Sequence, residues 1–544
     1  MPIHEFCAGP IRRRVAFVGD VPPEALKAFG RRGFDCFVLN SDPIGRALEA
    51  STADCVVLTQ IAGETERFQV REQLEQLADL LNHDCRLYVR YTEAIGDKDI
   101  VLRALNSQQL PPSGFVETDG KFFYGDWFEG VNHPVFAPFV HVLPDKTAWD
   151  NLANLVVQNP AGKAPNQDLK IEIYDVNHNA IHLESEAELL VRRAFWNCSS
   201  VRLNAKANGL SGVGAYDAFA HMSKNVVGGD WPYRFFVKLG SRVKVSREYH
   251  KYRTTALENV PYHLGPRLRM DRCVLGRSQG LIVSDYVSGA EALRDCAREG
   301  RGVPAIGNLF NLTLLAWRRA ALDAEVPLAE YLGNHFPKAI PPHRAALIEA
   351  YGGTHPPEYL RQVFESQISQ PVLVGVVHGD LHATNVLVRS NDAVIIDLER
   401  IQLGMPLLYD AASLEGGLFI DGFIGDRRTG AALLASLVSM YSASAFYGDD
   451  HFCLPQDGSA WFVDSVRQIR MQARQMERSP RQYGLTLAAV LLKKACNPED
   501  FRSSTEEMDV NPAPLTREAV RALAYVLGEK ILMALSAPET TPSL

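Results

Sequence analysis

Cysteine is present but unclustered: nine are spread from Cys7 to Cys496, and no two form a C-x-x-C pair. That spacing offers neither the grouped thiolates of a zinc site nor the framework of a disulfide scaffold, and it fits a reducing, cytoplasmic setting. No G-x-G-x-x-G follows the first apolar strand, so no dinucleotide site is assigned. Positive charge is not in excess. A formal net charge of −8 and a pI near 6.0 argue against a general nucleic-acid binder and leave room only for a local basic groove. Long apolar runs are also missing. The most apolar stretch, Gly430 to Tyr447, is interrupted by four serines and reads as a buried helix, not a membrane span. The N-terminus, Met-Pro-Ile-His-Glu-Phe, lacks signal-peptide architecture, there is no internal repeat, and Ala537 to Leu544 reads as a frayed tail.

What remains is an ordinary globular composition, 46% hydrophobic and 22% charged, over 544 residues. That length exceeds what one core usually supports, so two or three domains are expected. Residues 1–106 alternate strands and helices: Arg14 to Gly19, a helix from Pro23 closed by Gly33, Cys36 to Asn40, Cys55 to Thr59, an amphipathic helix from Phe68 to Asn82, and Arg86 to Arg90. The alternation predicts a parallel, doubly wound sheet. It is similar to a receiver (flavodoxin-like) module, although the third strand ends in Thr59-Gln60 where a receiver carries its phosphoacceptor Asp, and only Asp20 follows the first strand. That departure implies sensing or docking rather than phosphorelay; an unrelated α/β module is the alternative. Residues 107–179 read as a linker rich in Pro, with an aromatic patch (Phe122, Phe123, Trp127, Phe128, Phe136, Phe139) that serves packing or, alternatively, a partner surface. A helix then starts at Ser185, with Ser185 and Glu188 spaced as a capping box.

The most informative stretch is Val-Val-His-Gly-Asp-Leu-His-Ala-Thr-Asn-Val-Leu-Val at 376–388, with Val-Ile-Ile-Asp-Leu-Glu at 394–399. Its apolar runs and polar turn predict a hairpin-like unit with acidic and amide side chains gathered at its turn. Asn385 follows Asp380 by five positions and Asp397 follows Asn385 by twelve. The protein-kinase catalytic loop has the same internal spacing, because phosphoryl transfer needs an Asp for the attacking hydroxyl and oxygen ligands for Mg²⁺. The bland reading is a turn merely stabilised by Asp, His and Asn. Gly379 replaces the kinase Arg, and His-Gly-Asp-x-His-x-x-Asn resembles the aminoglycoside phosphotransferase and choline kinase group.

Upstream, the order of elements suits a kinase-like N-lobe at 180–289. A strand from Val201 runs into the glycine-rich turn Asn208 to Ala215, where Gly209, Gly212 and Gly214 would let backbone N–H groups approach phosphates; a plain hairpin turn is the alternative. In the following strand, Arg234 to Gly240, Lys238 is costly to bury without a partner. The resemblance implies that Lys238 contacts the ATP phosphates and pairs with Glu248, with Glu258 in reserve. It places the adenine hinge at Asp285, Tyr286 and Val287, reached from the apolar run 280–289. The remainder, 290–544, reads as a helical C-lobe with helices at Ala305 to Ala324, Pro342 to Ala350, Pro357 to Ile368, Ala460 to Glu477, Gln482 to Asn497 and Thr516 to Leu535. Asp410 resembles the Asp that supports the catalytic loop, and a helix N-cap is the alternative. Only scattered acids (Glu330, Glu349, Glu358) lie in the inserted helices, which disfavours a cationic acceptor.

Taken together, Glu188 to Phe195, the Leu-Ser-Gly-Val-Gly turn, Val-Lys-Leu-Gly, Arg-Glu-Tyr and the His-Gly-Asp loop resemble the kinase-like ternary complex associated domains of bacterial conflict and signalling systems, over roughly 180–540. The resemblance implies a bilobal protein-kinase-like fold (α+β) behind the α/β N-terminal domain, ATP and Mg²⁺ as cofactors, and protein partners beside an unidentified phosphoacceptor. Asp380 would act on the acceptor hydroxyl, Asn385 and Asp397 would hold the metal, and His378 and Asp410 would brace the loop. A non-catalytic nucleotide-binding scaffold and AMP transfer to a protein are the alternatives.

Overall fold

A computed structural model describes residues 14–39, 53, 55–61, 86–91, 114–116, 122–124, 140–158, 166–206, 214–223, 232–257, 259–269, 272–275, 279–367, 371–447, 459–497 and 514–536. Backbone contacts divide the chain into one unit of residues 1–250 and 267–286 and another of 251–266 and 287–544.

The first unit holds two sheets. In the N-terminal one, five parallel strands lie in the spatial order Asp35–Val38, Arg14–Val18, Cys55–Ile61, Arg86–Tyr91, Val140–Pro144. Val15, Phe17, Val57, Tyr88 and Leu143 turn one face toward Ala25, Ala28 and Phe29 of helix Pro23–Gly30 and Leu152, Ala153 and Val156 of helix Trp149–Gln158. Proline at the first helical position suits its missing N–H, and the chain leaves that helix through Gly33 at φ +78°. The predicted parallel sheet is therefore present. Two of its parts, Val140–Pro144 and Trp149–Gln158, come from the stretch read as a linker. A five-residue strand carrying a His and a Pro shows too little alternation to be recognised alone. Gly114–Val116 and Phe122–Tyr124 extend the same edge, which puts Phe122 and Phe123 in a strand. The other four aromatics of that patch, and the helix expected at Phe68 to Asn82, lie outside the described residues.

The second sheet runs Val274–Leu275, Gln279–Asp285, Tyr233–Ser241, Gly214–Met222, Cys198–Ala205, Lys170–Tyr174. All pairs are antiparallel except the last, and Lys170–Tyr174 again lies within the expected linker. Along Tyr233–Ser241 the period of two sends Phe235, Val237 and Leu239 into a core with Leu190, Val191 and Phe195 of helix Ser185–Ala194. Lys238 therefore projects from the other face. The capping box is not formed. Glu184 occupies the N-cap without a side-chain bond, and Glu188 binds Arg192 one turn later at 2.6 Å.

The second unit contains two three-stranded sheets and a helical bundle. Val372–Val377 lies between Leu322–Ala324 and Gln402–Pro406, whereas Val386–Arg389 lies between Glu291–Ala292 and Asp392–Ile395. This corrects the hairpin reading: the runs flanking the His-Gly-Asp turn belong to different sheets, and the hairpin is Val386–Arg389 with Asp392–Ile395. The helix expected over Ala305 to Ala324 is also interrupted. Helix Gly302–Asn308 passes through a π segment, Leu309–Thr313, and Leu322–Ala324 leaves as a strand because it finds a pairing partner in Val372–Val377. Gly430–Leu437 is helical, but Val438–Tyr441 tightens to a 3-10 turn. Ser436 and Ser442 there donate to the carbonyls of Leu433 and Ser439, competing with helical bonding. Helices Pro342–Ala350, Pro357–Glu365, Ala460–Arg474, Gln482–Ala495 and Arg517–Ser536 match their expected positions within a few residues. Among the described residues no helix is long and apolar enough to cross a membrane.

Helix Leu408–Phe423 is buried along nearly its whole length. Its one buried acid that faces a neighbouring helix, Glu415, accepts bonds from Arg470 at 2.7 and 3.1 Å and from the Tyr483 hydroxyl at 2.6 Å. Removing one member leaves a charge stranded in an apolar bundle, so Arg470→Met is expected to destabilise the protein by about 3–5 kcal/mol. The urea midpoint checks this; a loss under about 1 kcal/mol would mean that water reaches Glu415.

Candidate active site

The site residues fall into two groups, one in each unit. In the first unit, Lys238 Nζ donates to both carboxylate oxygens of Glu248, at 2.9 and 3.0 Å, and each side chain is only 14% exposed. Helix Arg242–Lys251 follows the lysine's strand directly, which brings Glu248 back over it. A lysine largely withdrawn from water with a bidentate carboxylate partner is held in one orientation. Gly214 opens its strand, and a Cβ there would lie 2.8 Å from the Tyr216 hydroxyl, so a side chain would have to displace the tyrosine folded over it. Gly209, Gly212 and the reserve partner Glu258 lie outside the described residues.

At the expected hinge, Asp285 closes strand Gln279–Asp285, and its N–H donates to the Arg267 carbonyl at 2.9 Å. That amide is therefore committed within the protein. The Arg234 guanidinium lies 3.5 Å from the Tyr286 ring centre and donates to Asp217 at 2.8 Å. Val287 begins the long segment of the other unit.

In the second unit, the turn after Val372–Val377 is organised from within. Asp410, in the first turn of helix Leu408–Phe423, accepts from the N–H groups of His378 (2.7 Å) and Gly379 (3.1 Å). The N-cap alternative is thereby set aside: the carboxylate serves the loop, not its own helix. His378 is fully buried, and its Nε2 lies 2.9 Å from the Ile396 carbonyl oxygen, so Nε2 carries the proton. Gly379 stands at φ +76°, and a Cβ would collide with the Arg400 carbonyl oxygen. That double constraint explains why glycine precedes Asp380. From the other side, Gly417 lets helix Leu408–Phe423 approach His382, where a Cβ would come within 2.7 Å of the His382 Cβ.

Asn385 ties the loop's end to its start. Its Nδ2 donates to the Asp380 carbonyl at 3.0 Å, and the Ile396 N–H donates to the Asn385 carbonyl at 2.9 Å. The side-chain Oδ1 is then the end left for a cation. Asp397 follows strand Asp392–Ile395 in the left-handed region (φ 63°, ψ 70°), which Asp tolerates better than most residues, and a 3-10 turn, Leu398–Arg400, starts there. One amide oxygen and one carboxylate suit Mg²⁺, which takes few protein ligands and fills its octahedron with phosphate and water oxygens.

Sequence reasoning missed the cations around Asp380. Lys494 Nζ and Arg400 Nε each lie 3.7 Å from one of its oxygens. Lys493 Nζ donates to the Tyr409 hydroxyl at 2.9 Å. A signal was available: Lys493-Lys494 ends an otherwise apolar helix, Gln482–Ala495, and is as conspicuous there as Lys238 is in its strand. Burial alone would raise the Asp380 carboxyl, but Lys494, His382 and Arg400 outweigh it and hold it below its ordinary value. Burial and Lys494 together keep His382 low and bring Lys493 down to about 8. Asp410 goes the other way: burial pushes it up to about 6, against the pull of His378 and the two amides.

Residues 299–496, which contain the His-Gly-Asp loop, Asp397, Asp410 and Lys494, match the family model described as Ternary complex associated domain 9. The recognition made from the motifs, expected over roughly 180–540, is thus met over this segment. No curated protein matches the chain. Among solved structures it is similar to aminoglycoside phosphotransferase APH(4)-Ia in ternary complex with ADP and hygromycin B, at 15% identity over 64% of this chain and 99% of that one, with a TM-score of 0.35. Amicoumacin kinase hAmiN with AMP-PNP and Ca²⁺ matches at 9% identity, 61% and 88% coverage and a TM-score of 0.33. Plasmodium vivax ethanolamine kinase matches at 12% identity, 62% and 82% coverage and a TM-score of 0.30.

Because the folded Asp410 binds its proton more tightly than an unfolded Asp, whose value is 3.8, the folded state holds a proton that the unfolded chain releases between about 4 and about 6. Stability contributed by Asp410 is therefore complete below that window and falls as pH rises through it. Asp410→Asn is expected to remove this component and to lower stability at every pH, since an amide presents only one acceptor to two N–H groups. Urea midpoints of both proteins between pH 4 and 7 check it: parallel curves would assign Asp410 an ordinary carboxyl.

Proposed function

We propose that this chain, with its ternary complex associated domain, is an ATP- and Mg²⁺-dependent phosphotransferase that places the γ-phosphate of ATP on an acceptor hydroxyl. The observation that carries the reading is the loop in which Asp410 clamps the amides of His378 and Gly379 while Asn385 bonds the Asp380 carbonyl. The clamp holds the Asp380 carboxylate and the Asn385 oxygen on one short, braced turn, as positioning catalysis requires. Bound Mg-ATP would supply the phosphoryl group and screen its developing charge. Lys238, oriented by Glu248, would donate to the phosphate oxygens, and Asn385 and Asp397 would hold the metal. Asp380 would orient the acceptor hydroxyl and take its proton, with His378 fixing the turn through the Ile396 carbonyl. Residues 1–106 and the strand that completes their sheet would serve sensing or protein docking in a bacterial signalling or conflict system, in the cytoplasm.

A second reading has its own support. Lys494 and Arg400 occupy both oxygens of Asp380, as in a site that holds nucleotide and relays its presence without turnover. AMP transfer would use the same groups with ATP reversed.

The readings separate by mutation. ATP is expected to stabilise the wild type only with Mg²⁺ or Mn²⁺, by about 2.7 kcal/mol at 100 times Kd. Asp397→Asn should abolish that metal-dependent gain. Asp380→Asn should bind Mg-ATP within a few-fold of wild type while transfer, or slow background ATP hydrolysis, falls by about two orders of magnitude or more. Mg-ATP binding without transfer or hydrolysis in wild type, with cellular function kept in Asp380→Asn and lost in Asp397→Asn, would leave the scaffold reading. Mass spectrometry of the product distinguishes a phosphate gain from an AMP gain.

In the first unit, Lys238→Met is expected to weaken ATP binding while leaving the protein folded, with Glu248→Gln showing a smaller effect in the same direction. Wild-type ATP affinity in Lys238→Met would transfer the phosphate contact to another cation.

A further inference from the structure

Resting on the phosphotransferase reading, we infer that Lys493, Lys494 and Arg400 form a cationic seat for the acceptor, whose reactive hydroxyl stands beside an anionic group, a phosphate or a carboxylate. Two cations stand 3.7 Å from Asp380, one on each oxygen. The Asp380 side chain is 36% exposed, so water shares with these cations in satisfying its charge. The cations do not support the loop, which Asp410, Asn385 and His378 already hold.

Their geometry suits a visitor better than a permanent partner. At 3.7 Å neither is a close hydrogen bond. Arg400, 55% exposed, and Lys494, 22% exposed, can turn to a second anion without disturbing the packing. Lys493 is the adjoining residue on helix Gln482–Ala495 and is held toward the loop by the Tyr409 hydroxyl rather than by an acid. Lys494, Arg400 and the adjoining Lys493 thus outnumber the one carboxylate, Asp380, that stands among them, and a second anion would offset the excess charge. An anionic acceptor would supply that anion and draw Lys494 and Arg400 toward itself, leaving the Asp380 carboxylate to the incoming hydroxyl. The transfer then balances in the ordinary way: the bond from the acceptor oxygen to the γ-phosphorus forms, the bond from phosphorus to the bridging oxygen of ATP breaks, ADP leaves, and the hydroxyl proton passes to Asp380. A polycationic acceptor would meet the same seat with repulsion. The acids of the inserted helices, Glu330, Glu349 and Glu358, are exposed.

The test uses the full chain saturated with Mg-AMP-PNP, so that the nucleotide's own phosphate positions are filled. Inorganic phosphate, acetate and spermidine are titrated separately by calorimetry. Phosphate or acetate is expected to bind and spermidine is not; the tighter of the two anions identifies the acceptor's group. Lys493→Met and Arg400→Gln are each expected to weaken the anion roughly tenfold, and Asp380→Asn to tighten it several-fold by removing the competing carboxylate. AMP-PNP affinity should stay within about twofold in Lys493→Met. Spermidine binding in place of the anions, or anion affinity unchanged in all three variants, overturns the seat. Mg-AMP-PNP binding with no anion binding overturns this inference alone, whereas failure of Mg-AMP-PNP to bind overturns the phosphotransferase reading beneath it.

Discussion

The second unit's His-Gly-Asp loop depends on one close approach, that of the Gly379 backbone to the Arg400 carbonyl. With a Cβ at position 379 the turn could not lie against the segment after Asp397, and the loop and that segment would separate. Once the backbones are that close, Asp410 can reach two successive amides, the His378 ring can reach the Ile396 carbonyl, and the Ile396 amide can reach Asn385. Each bond uses a backbone group that would otherwise be buried without a partner. The functional side chains of Asp380 and Asn385 are thus oriented by main chain rather than by other side chains, and their surroundings can vary without loss of aim.

The same economy explains which parts of the fold were legible in the sequence. The Asp380, Asn385, Asp397 and Asp410 set was readable because the backbone geometry fixes the spacing, so the residues appear at fixed offsets. Lys238 was readable for a different reason: a cation within an alternating apolar strand needs a partner, and Glu248 stood ten residues away. Lys494 and Arg400 were not found, because neither has a fixed offset from Asp380; they meet it through the packing of Gln482–Ala495 and the turn Leu398–Arg400. The pairing of Val372–Val377 was misread for the same reason. Its partners, Leu322–Ala324 and Gln402–Pro406, are remote in sequence, and local alternation favours the nearer strand. The linker failed as a reading because Val140–Pro144 and Lys170–Tyr174 are strands by pairing, not by pattern.

The second unit also contrasts two uses of buried charge. Glu415 and Arg470 are matched ion for ion inside the bundle, with Tyr483 completing the set, so the pair is closed and structural. Around Asp380 the charges are unequal and the contacts loose. A closed pair fixes a fold; an open one leaves a charge requirement that a ligand can meet.

Polar groups are also committed in the N-terminal sheet. Its strands Asp35–Val38, Arg14–Val18, Cys55–Ile61, Arg86–Tyr91 and Val140–Pro144 run parallel in that order, and the carboxyl ends of such strands are where ligands bind. The third strand brings Thr59 to that end. Thr59 is buried, its hydroxyl donates to the Val18 carbonyl at 3.0 Å, and Gly19 at φ +97° leaves only enough room for that hydroxyl, since a Cβ there would lie 2.7 Å from it. Arg90, at the end of the next strand, is likewise turned inward, donating to the carbonyls of Asp145 and Thr147 and lying 3.8 Å from the Trp149 ring centre. Asp20 is exposed, with no partnering acid from the third strand. A phosphoacceptor requires an exposed carboxylate at the third strand's end. Among the described residues that end carries a committed hydroxyl, Thr59, and the neighbouring cation, Arg90, is engaged with backbone carbonyls.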